Sequence, residues 1–258
     1  MVILCGQGGF IFYDDGSAGT ATGHIELIGS AVEGDLALYF NTTDRDINET
    51  IDVDGTDVVV RADANSIGFA ASNAALRIGD YFELSGDFVM EKRDVGTATE
   101  RTLIGARNVL IFLGRGPPTL PDGSNNPDAI GVRINNAEVG VVLYADDTFA
   151  FTATGDAGLM GILDDIDDPN GFLVTGTLTA RVNNSGRSVS ETITFPDTST
   201  VSVNFASSQR VEEFSGDPVI VSIGGVLVIE GGITFTRKPG GEIEVDVPDA
   251  SIDINIPA

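Results

Sequence analysis

The chain repeats itself, and this limits its fold more than any other property, because a recurring segment folds as one supersecondary unit used again. Residues 12–29, FYDDGSAGTATGHIELIG, return as residues 144–161, YADDTFAFTATGDAGLMG, with nine of 18 positions identical at an offset of 132. Asp14/Asp146, Asp15/Asp147, Ala18/Ala150 and Gly23/Gly155 are among them. A second block pairs GDLALYFNTTDRDINETI (34–51) with GTLTARVNNSGRSVSETI (176–193) at an offset of 142. It shares Gly34/Gly176, Asn41/Asn183, Arg45/Arg187 and Glu49/Glu191. A third, IGDYFELSGDFVMEK (78–92) against IGGVLVIEGGITFTR (223–237), keeps Gly86/Gly231 and the apolar alternation at an offset of 145.

The growth of the offset has a visible source: ILDDIDDPNGF follows Met160 in the second copy where the first has only Ser30-Ala31-Val32-Glu33, which reads as a loop insertion. The opening Gly8-Gly9-Phe10-Ile11-Phe12 aligns with Gly140-Val141-Val142-Leu143-Tyr144. The closing EIEVDVPDASIDINI resembles TLIGARNVLIFLG, so the chain is expected to open and close partway through a unit. The division that follows is residues 1–115 as a first unit, 116–140 as a Pro/Gly/Asn-rich connection, and 141–258 as a second unit.

Alternation with period two dominates, and no long window keeps a helical stripe. Ile243, Val245 and Val247 face one way while Glu242, Glu244 and Asp246 face the other; Val201, Val203 and Phe205 alternate similarly. Asp54-Gly55, Asn183-Asn184-Ser185-Gly186, Gly231-Gly232, Pro239-Gly240-Gly241 and Pro248-Asp249 read as tight turns. The expected fold is all-β: tandem antiparallel meanders of seven or eight strands packed in series, as an elongated sandwich or a continuous twisted sheet.

A formal net charge of −25 argues against nucleic acid and anionic membrane surfaces, which would repel the chain, and favours cations as partners. No apolar run is long enough for a membrane helix, and Met1-Val-Ile-Leu-Cys-Gly lacks the basic start of a signal peptide. The single cysteine, Cys5, excludes a disulfide framework. His24, the only histidine, faces Asp156 in the alignment, so a triad or histidine-ligated metal would rest on a residue that one copy discards.

Both copies keep Asn-x₃-Arg-x₃-Glu-Thr-Ile. At a hairpin tip, Asn41 and Asn183 would supply the turn, while Arg45 and Glu49, or Arg187 and Glu191, would pair on one face of the second strand. A carbohydrate-cleaving role for Glu49 or Glu191 would need a second carboxylate across a cleft and aromatic platforms; a chain with no Trp and four Tyr suits that poorly, so a non-enzymatic role is favoured, with a carbohydrate-binding or carbohydrate-cleaving β protein as the alternative. The oxygen-rich loops suit calcium, which takes six to eight hard oxygen ligands. Asp164, Asp165, Asp167, Asp168 and Asn170 form the candidate calcium site; Asp122, Asn125, Asn126 and Asp128, and Asp44, Asp46, Asp52 and Asp54, are lesser clusters.

The recurring wording ATGxxxLxG, then GTLxxxxNxxG, then LSGxFxxxK, resembles the tandem β-repeats of giant acidic, cysteine-poor, adhesin-like proteins exported by Gram-negative bacteria. The resemblance covers most of the chain and implies a cell-surface or extracellular structural segment. Its partners would be neighbouring repeat units and surface glycans, with calcium as a stiffening ion, and it supplies no catalytic motif.

Overall fold

In a computed structural model, the structure describes residues 2–27, 32–78, 82–120, 124, 126, 128–160, 172–223, 226–238 and 242–254. The described residues are strand and turn. The first eight strands are β1 (Val2–Tyr13), β2 (Gly16–Leu27), β3 (Val32–Asn41), β4 (Ile47–Val53), β5 (Thr56–Ala62), β6 (Ser66–Ile78), β7 (Phe82–Arg93) and β8 (Arg101–Arg115). The next are β9 (Ile130–Tyr144), β10 (Phe149–Met160), β11 (Phe172–Asn183), β12 (Val189–Thr194), β13 (Thr200–Phe205), β14 (Val211–Ile223) and β15 (Leu227–Arg237), followed by β16 (Ile243–Asp246) and β17 (Ser251–Ile254).

One antiparallel sheet runs β1-β2-β3-β6-β7-β8-β9-β10-β11-β14-β15-β16, with β17 also on β15. The hairpins β4-β5 and β12-β13 stand outside it. Of the two expected arrangements, the continuous sheet is the one observed. β8 and β9 pair from Arg101↔Tyr144 to Arg115↔Ile130, so hydrogen bonding passes from one copy to the next without a break. Residues 130–140 belong to β9.

The copies correspond strand for strand from β1–β7 to β9–β15. β16 and β17 pair on β15 where β8 pairs on β7, as the resemblance between their sequences anticipated. One alignment needs a shift of a residue. Tyr13 pairs with Gly16 around Asp14-Asp15, whereas the Tyr144 N–H bonds to the Thr148 carbonyl at 2.9 Å around a longer loop. Tyr13 therefore matches Tyr144, and Gly9 matches Gly140.

A lone sheet has no core until something covers it. The hairpins supply the cover. β13 alternates exposed and buried along Thr200–Phe205, and Val201, Val203 and Phe205 pack with Val189, Ile193 and Phe195 onto Ala70, Val89, Leu103, Val142 and Ala150 of the sheet. In the first copy Ile47 and Val60 pack on Ala18, with Ile11, Tyr13 and Ile51 around them. Burying one such aliphatic side chain contributes about 1.5–3 kcal/mol.

Because successive strand residues point to opposite faces, the neighbours of these sheet residues lie on the other side. There Leu38, Phe69, Met90, Ile104, Val141, Phe151 and Val182 stand in direct register on seven adjacent strands. Leu38 is 58% exposed, so that apolar ladder is open to solvent.

A line of irregularities crosses the sheet. Registers shift at Gly34 in β3, at Ser72-Asn73 in β6, at Gly86 in β7 and at Asn108 in β8. They shift again at Asn136 and Gly155, and at Asp217-Pro218 opposite Thr177. Asn73, Asn108 and Asn136 each have φ of 51°, and Asp249, between β16 and β17, has 53°. These are β-bulges, which bend a strand and increase its twist. Gly231-Gly232, expected as a turn, lies inside β15 on this line, with Pro248 and Ala250 beside it. Its small size there serves close approach rather than reversal. Asp54-Gly55, with φ of 53° and 80°, is the turn of β4-β5 as expected, whereas 239–241 lie outside the described residues.

The left-handed conformation at Asn108 is one that Asn tolerates and β-branched residues resist. Asn108→Val is therefore expected to cost about 1–3 kcal/mol, and Asn108→Gly clearly less. Denaturant midpoints of the two variants check this; equal losses would mean that the backbone conformation is not the constraint.

Candidate functional site

The Asn-x₃-Arg motif marks the place where the chain leaves the sheet to start a hairpin, and it is built alike in both copies. Asn41 is buried. Its amide donates to the carbonyls of Arg45 at 2.7 Å and Asp63 at 3.0 Å, and its oxygen accepts from the Thr43 N–H at 2.9 Å and hydroxyl at 2.7 Å. Asn183 donates to the Arg187 carbonyl at 2.9 Å and accepts from the Ser185 N–H at 3.0 Å and hydroxyl at 2.7 Å. A buried amide can hold a crossover because each unpaired polar group there would cost about 1–3 kcal/mol.

The expected pairing of this Arg with the following Glu is not what forms. Arg45 and Arg187 precede β4 and β12 and lie over the rings of Tyr13 and Tyr144, each at 4.5 Å. Arg187 pairs with Asp146 at 2.9 Å, and Arg45 with Asp15 at 3.7 Å. Glu49 accepts from the Tyr13 hydroxyl at 2.8 Å. Glu191 instead reaches across the copies to Arg101 Nε at 2.6 Å and Arg93 at 3.6 Å. Neither Asn occupies a hairpin tip; the residues are in a crossover, which a two-residue turn pattern does not reveal.

Arg93, on β7, is the centre of the densest charge cluster among the described residues. It pairs with Glu91 at 3.0 Å and Asp63 at 2.9 Å, and donates to the Thr192 carbonyl at 3.3 Å. Arg101 adds Asp94. The cluster thus joins the end of β5 to β7, β8 and β12. Burial pushes the Glu91 carboxyl above its usual range, against the opposing pull of Arg93. Burial likewise raises the Tyr39 phenol, with the Glu91 charge adding to it.

Between the two hairpins, over this part of the sheet, runs a groove of about 390 Å³ lined in part by Thr22, Tyr39, Asn48, Arg61, Arg93 and Thr198. Its carboxylates Asp63 and Glu91 are both engaged by Arg93. A general acid or base must be able to give or take a proton at the reacting atom; here the pairing clamps elements together. Glu91 and Arg93 share one face of β7 and Arg101 faces Arg93 on β8, but Glu191 joins them only when β12 folds back over β8, and sequence spacing does not single that out.

His24 is exposed and bonds through Nδ1 to Asp35 at 2.7 Å, its direct cross-strand neighbour. Cys5 stands opposite His24 in β1. Asp164, Asp165, Asp167, Asp168 and Asn170 lie outside the described residues, as do Asp122 and Asn125. Asn126 is used internally, donating to the Pro117 carbonyl at 2.8 Å and accepting from the Asp128 N–H at 3.0 Å. Asp46 accepts from the Ala64 N–H at 2.9 Å and Asp52 from the Gly55 N–H at 3.1 Å. Among the described residues, no group of three or more His, Cys, Asp or Glu side chains is placed to hold a metal.

Two opposite pH dependences follow. Arg107 and Ser199 hold Asp197 down to about 2, and Arg187 and Thr148 hold Asp146 well below the carboxylate range. Depressed values mean stability that is present above the unfolded carboxylate pKa and lost as pH falls through the folded one. Glu91 has the reverse sign: its contribution is best below the unfolded pKa and declines as pH rises through the folded value. Glu91→Gln is therefore expected to raise the thermal midpoint at neutral pH, with the gain shrinking below about pH 4. A lower midpoint at neutral pH would show that the Arg93 pairing outweighs burial.

The chain matches no protein-family model, no curated protein and no solved structure in the three comparisons made.

Proposed function

We propose that the chain is a structural, adhesive repeat segment of a large extracellular bacterial protein, in which successive units share one sheet. The observation that carries this reading is the overlap at the junction of the copies. Hairpin β12-β13 belongs to the second copy, yet β12 rests on β8, the last strand of the first. Gly105 of β8 lies beneath Ile193 and Phe195: a Cβ there would sit 2.8 Å from the Ile193 side chain. Glu191 of the same hairpin pairs with Arg101 of the same strand. Each unit thus completes its neighbour's core, as in architectures whose stability is a sum of unit and interface contributions.

Such an arrangement suits load-bearing extension. The charge clusters are internally paired, and the shared content of the copies is strand framework, bulges and crossovers rather than a pocket kept in both. Calcium stiffening belongs to the same reading and rests on the oxygen-rich loop sequence from Asp164 to Asn170, as calcium would remove the repulsion between its carboxylates.

If the copies form one cooperative body, the chain unfolds in a single transition and Ile193→Ala, expected to cost about 2–5 kcal/mol, lowers amide protection in β8 as well as in β12-β13. Hydrogen exchange read strand by strand checks both. Separate transitions for the two copies, with β8 unaffected, would overturn the shared-core reading. For the ion, calcium is expected to raise the thermal midpoint and chelator to reverse it; an unchanged midpoint removes calcium from the account.

A further inference from the structure

The two hairpins match on one side and differ on the other. Val58, Val60 and Ala62 of β5 are as buried as Val201, Val203 and Phe205 of β13. The partners β4 and β12 are not alike. Val53 is 41% exposed while its counterpart Phe195 is 2% exposed; Ile51 is half-buried while Ile193 is fully buried. The cause is what lies below. β12 sits on β8, whereas β5 sits on β1, β2 and β3 and β4 lies at the β1 margin, where Ile51 stands over Gly9 and no strand beyond β1 is present among the described residues.

Exposed edges are normally blunted by charge, proline or short length. The far edge follows this rule: β16 and β17 have four residues each, with Glu242, Glu244, Asp246 and Pro248 around them. β1 does not. Its twelve residues, VILCGQGGFIFY, carry no charge and no proline.

Resting on the shared-sheet reading above, we propose that the β1 edge and the β4 margin above it form a docking site for one antiparallel strand of β8 character, supplied by another repeat unit. The internal junction gives the register. Arg101 faces Tyr144, Leu103 faces Val142 and Gly105 faces Gly140, so the guest places a cation opposite Tyr13, an aliphatic residue opposite Ile11 and glycine opposite Gly9. The guest cation meets Glu49, as Arg101 meets Glu191. Its glycine leaves room for Ile51, which already stands 3.0 Å from a Cβ built on Gly9.

The far edge of an identical chain does not fit. From the pairing of β16 on β15, Glu244 takes the position of Leu103 and Asp246 that of Gly105. Docking β16 would bury two carboxylates under Ile51 and Val53, a cost that unpaired charge does not recover.

The test uses the full chain and a fluorescent peptide of residues 98–112, the native β8 sequence. Saturable binding is expected, with amide protection appearing along β1. Peptide R101E is expected to bind roughly tenfold or more weakly, with Glu49→Arg in the chain restoring it. Peptide G105V is expected to lose binding. Absence of binding, binding indifferent to R101E and G105V, or protection elsewhere than β1 overturns the proposal. So does concentration-dependent chain growth in sedimentation that β16 substitutions abolish. Failure here with a single cooperative unfolding transition sinks only the docking site, whereas independent unfolding of the two copies sinks the shared-sheet reading itself.

Discussion

Two of the cores formed by the described residues depend on laying a two-stranded hairpin across a single sheet. The sheet's hydrogen bonds hold strands side by side, but they exclude no water from either face. Val201, Val203 and Phe205 above, with Leu103, Val142 and Ala150 below, turn a ribbon into a folded body. The hairpin can be placed there because a buried asparagine satisfies the backbone at the crossover in both copies. The two interactions are one device: polar pinning at the root and apolar burial along the length.

That device explains which motif residues recur. Asn41 and Asn183 are kept for the crossover, and Arg45 and Arg187 for the tyrosine rings at the ends of β1 and β9. The Glu that follows has a different fate in each copy. Glu191 finds Arg101 across the junction, while Glu49 bonds to Tyr13. The difference tracks whether a strand lies beneath the first half of the hairpin. Charge elsewhere is organised by the same overlap, since Arg93 gathers Glu91, Asp63 and Glu191 where the two hairpins approach.

The all-β class and a repeat of seven or eight strands were legible because alternation and internal identity are local properties of sequence. Val201, Val203 and Phe205 read as one buried face and are one. The hairpins' removal from the sheet was not legible, since β4 and β12 carry the same alternation as sheet strands, and only long-range packing tells them apart. Asn73, Asn108 and Asn136 are illegible for a related reason: an Asn inside a strand is a weak signal of a left-handed bulge. Gly231-Gly232 misled in the opposite direction, because glycine's tolerance serves close backbone approach as well as turns. The Arg93 cluster combines residues from four elements, and no spacing rule reaches that far.

The aligned bulges give the sheet a mechanical character that flat pairing would not. A crease running across consecutive strands acts as a corrugation does in a thin plate: it raises resistance to flexing about axes that cross the crease. Most strands from β3 to β15 contribute an Asn, Gly or Asp to the line, so flexural stiffness is specified residue by residue. A longer array would then gain rigidity from geometry alone, without a thicker core.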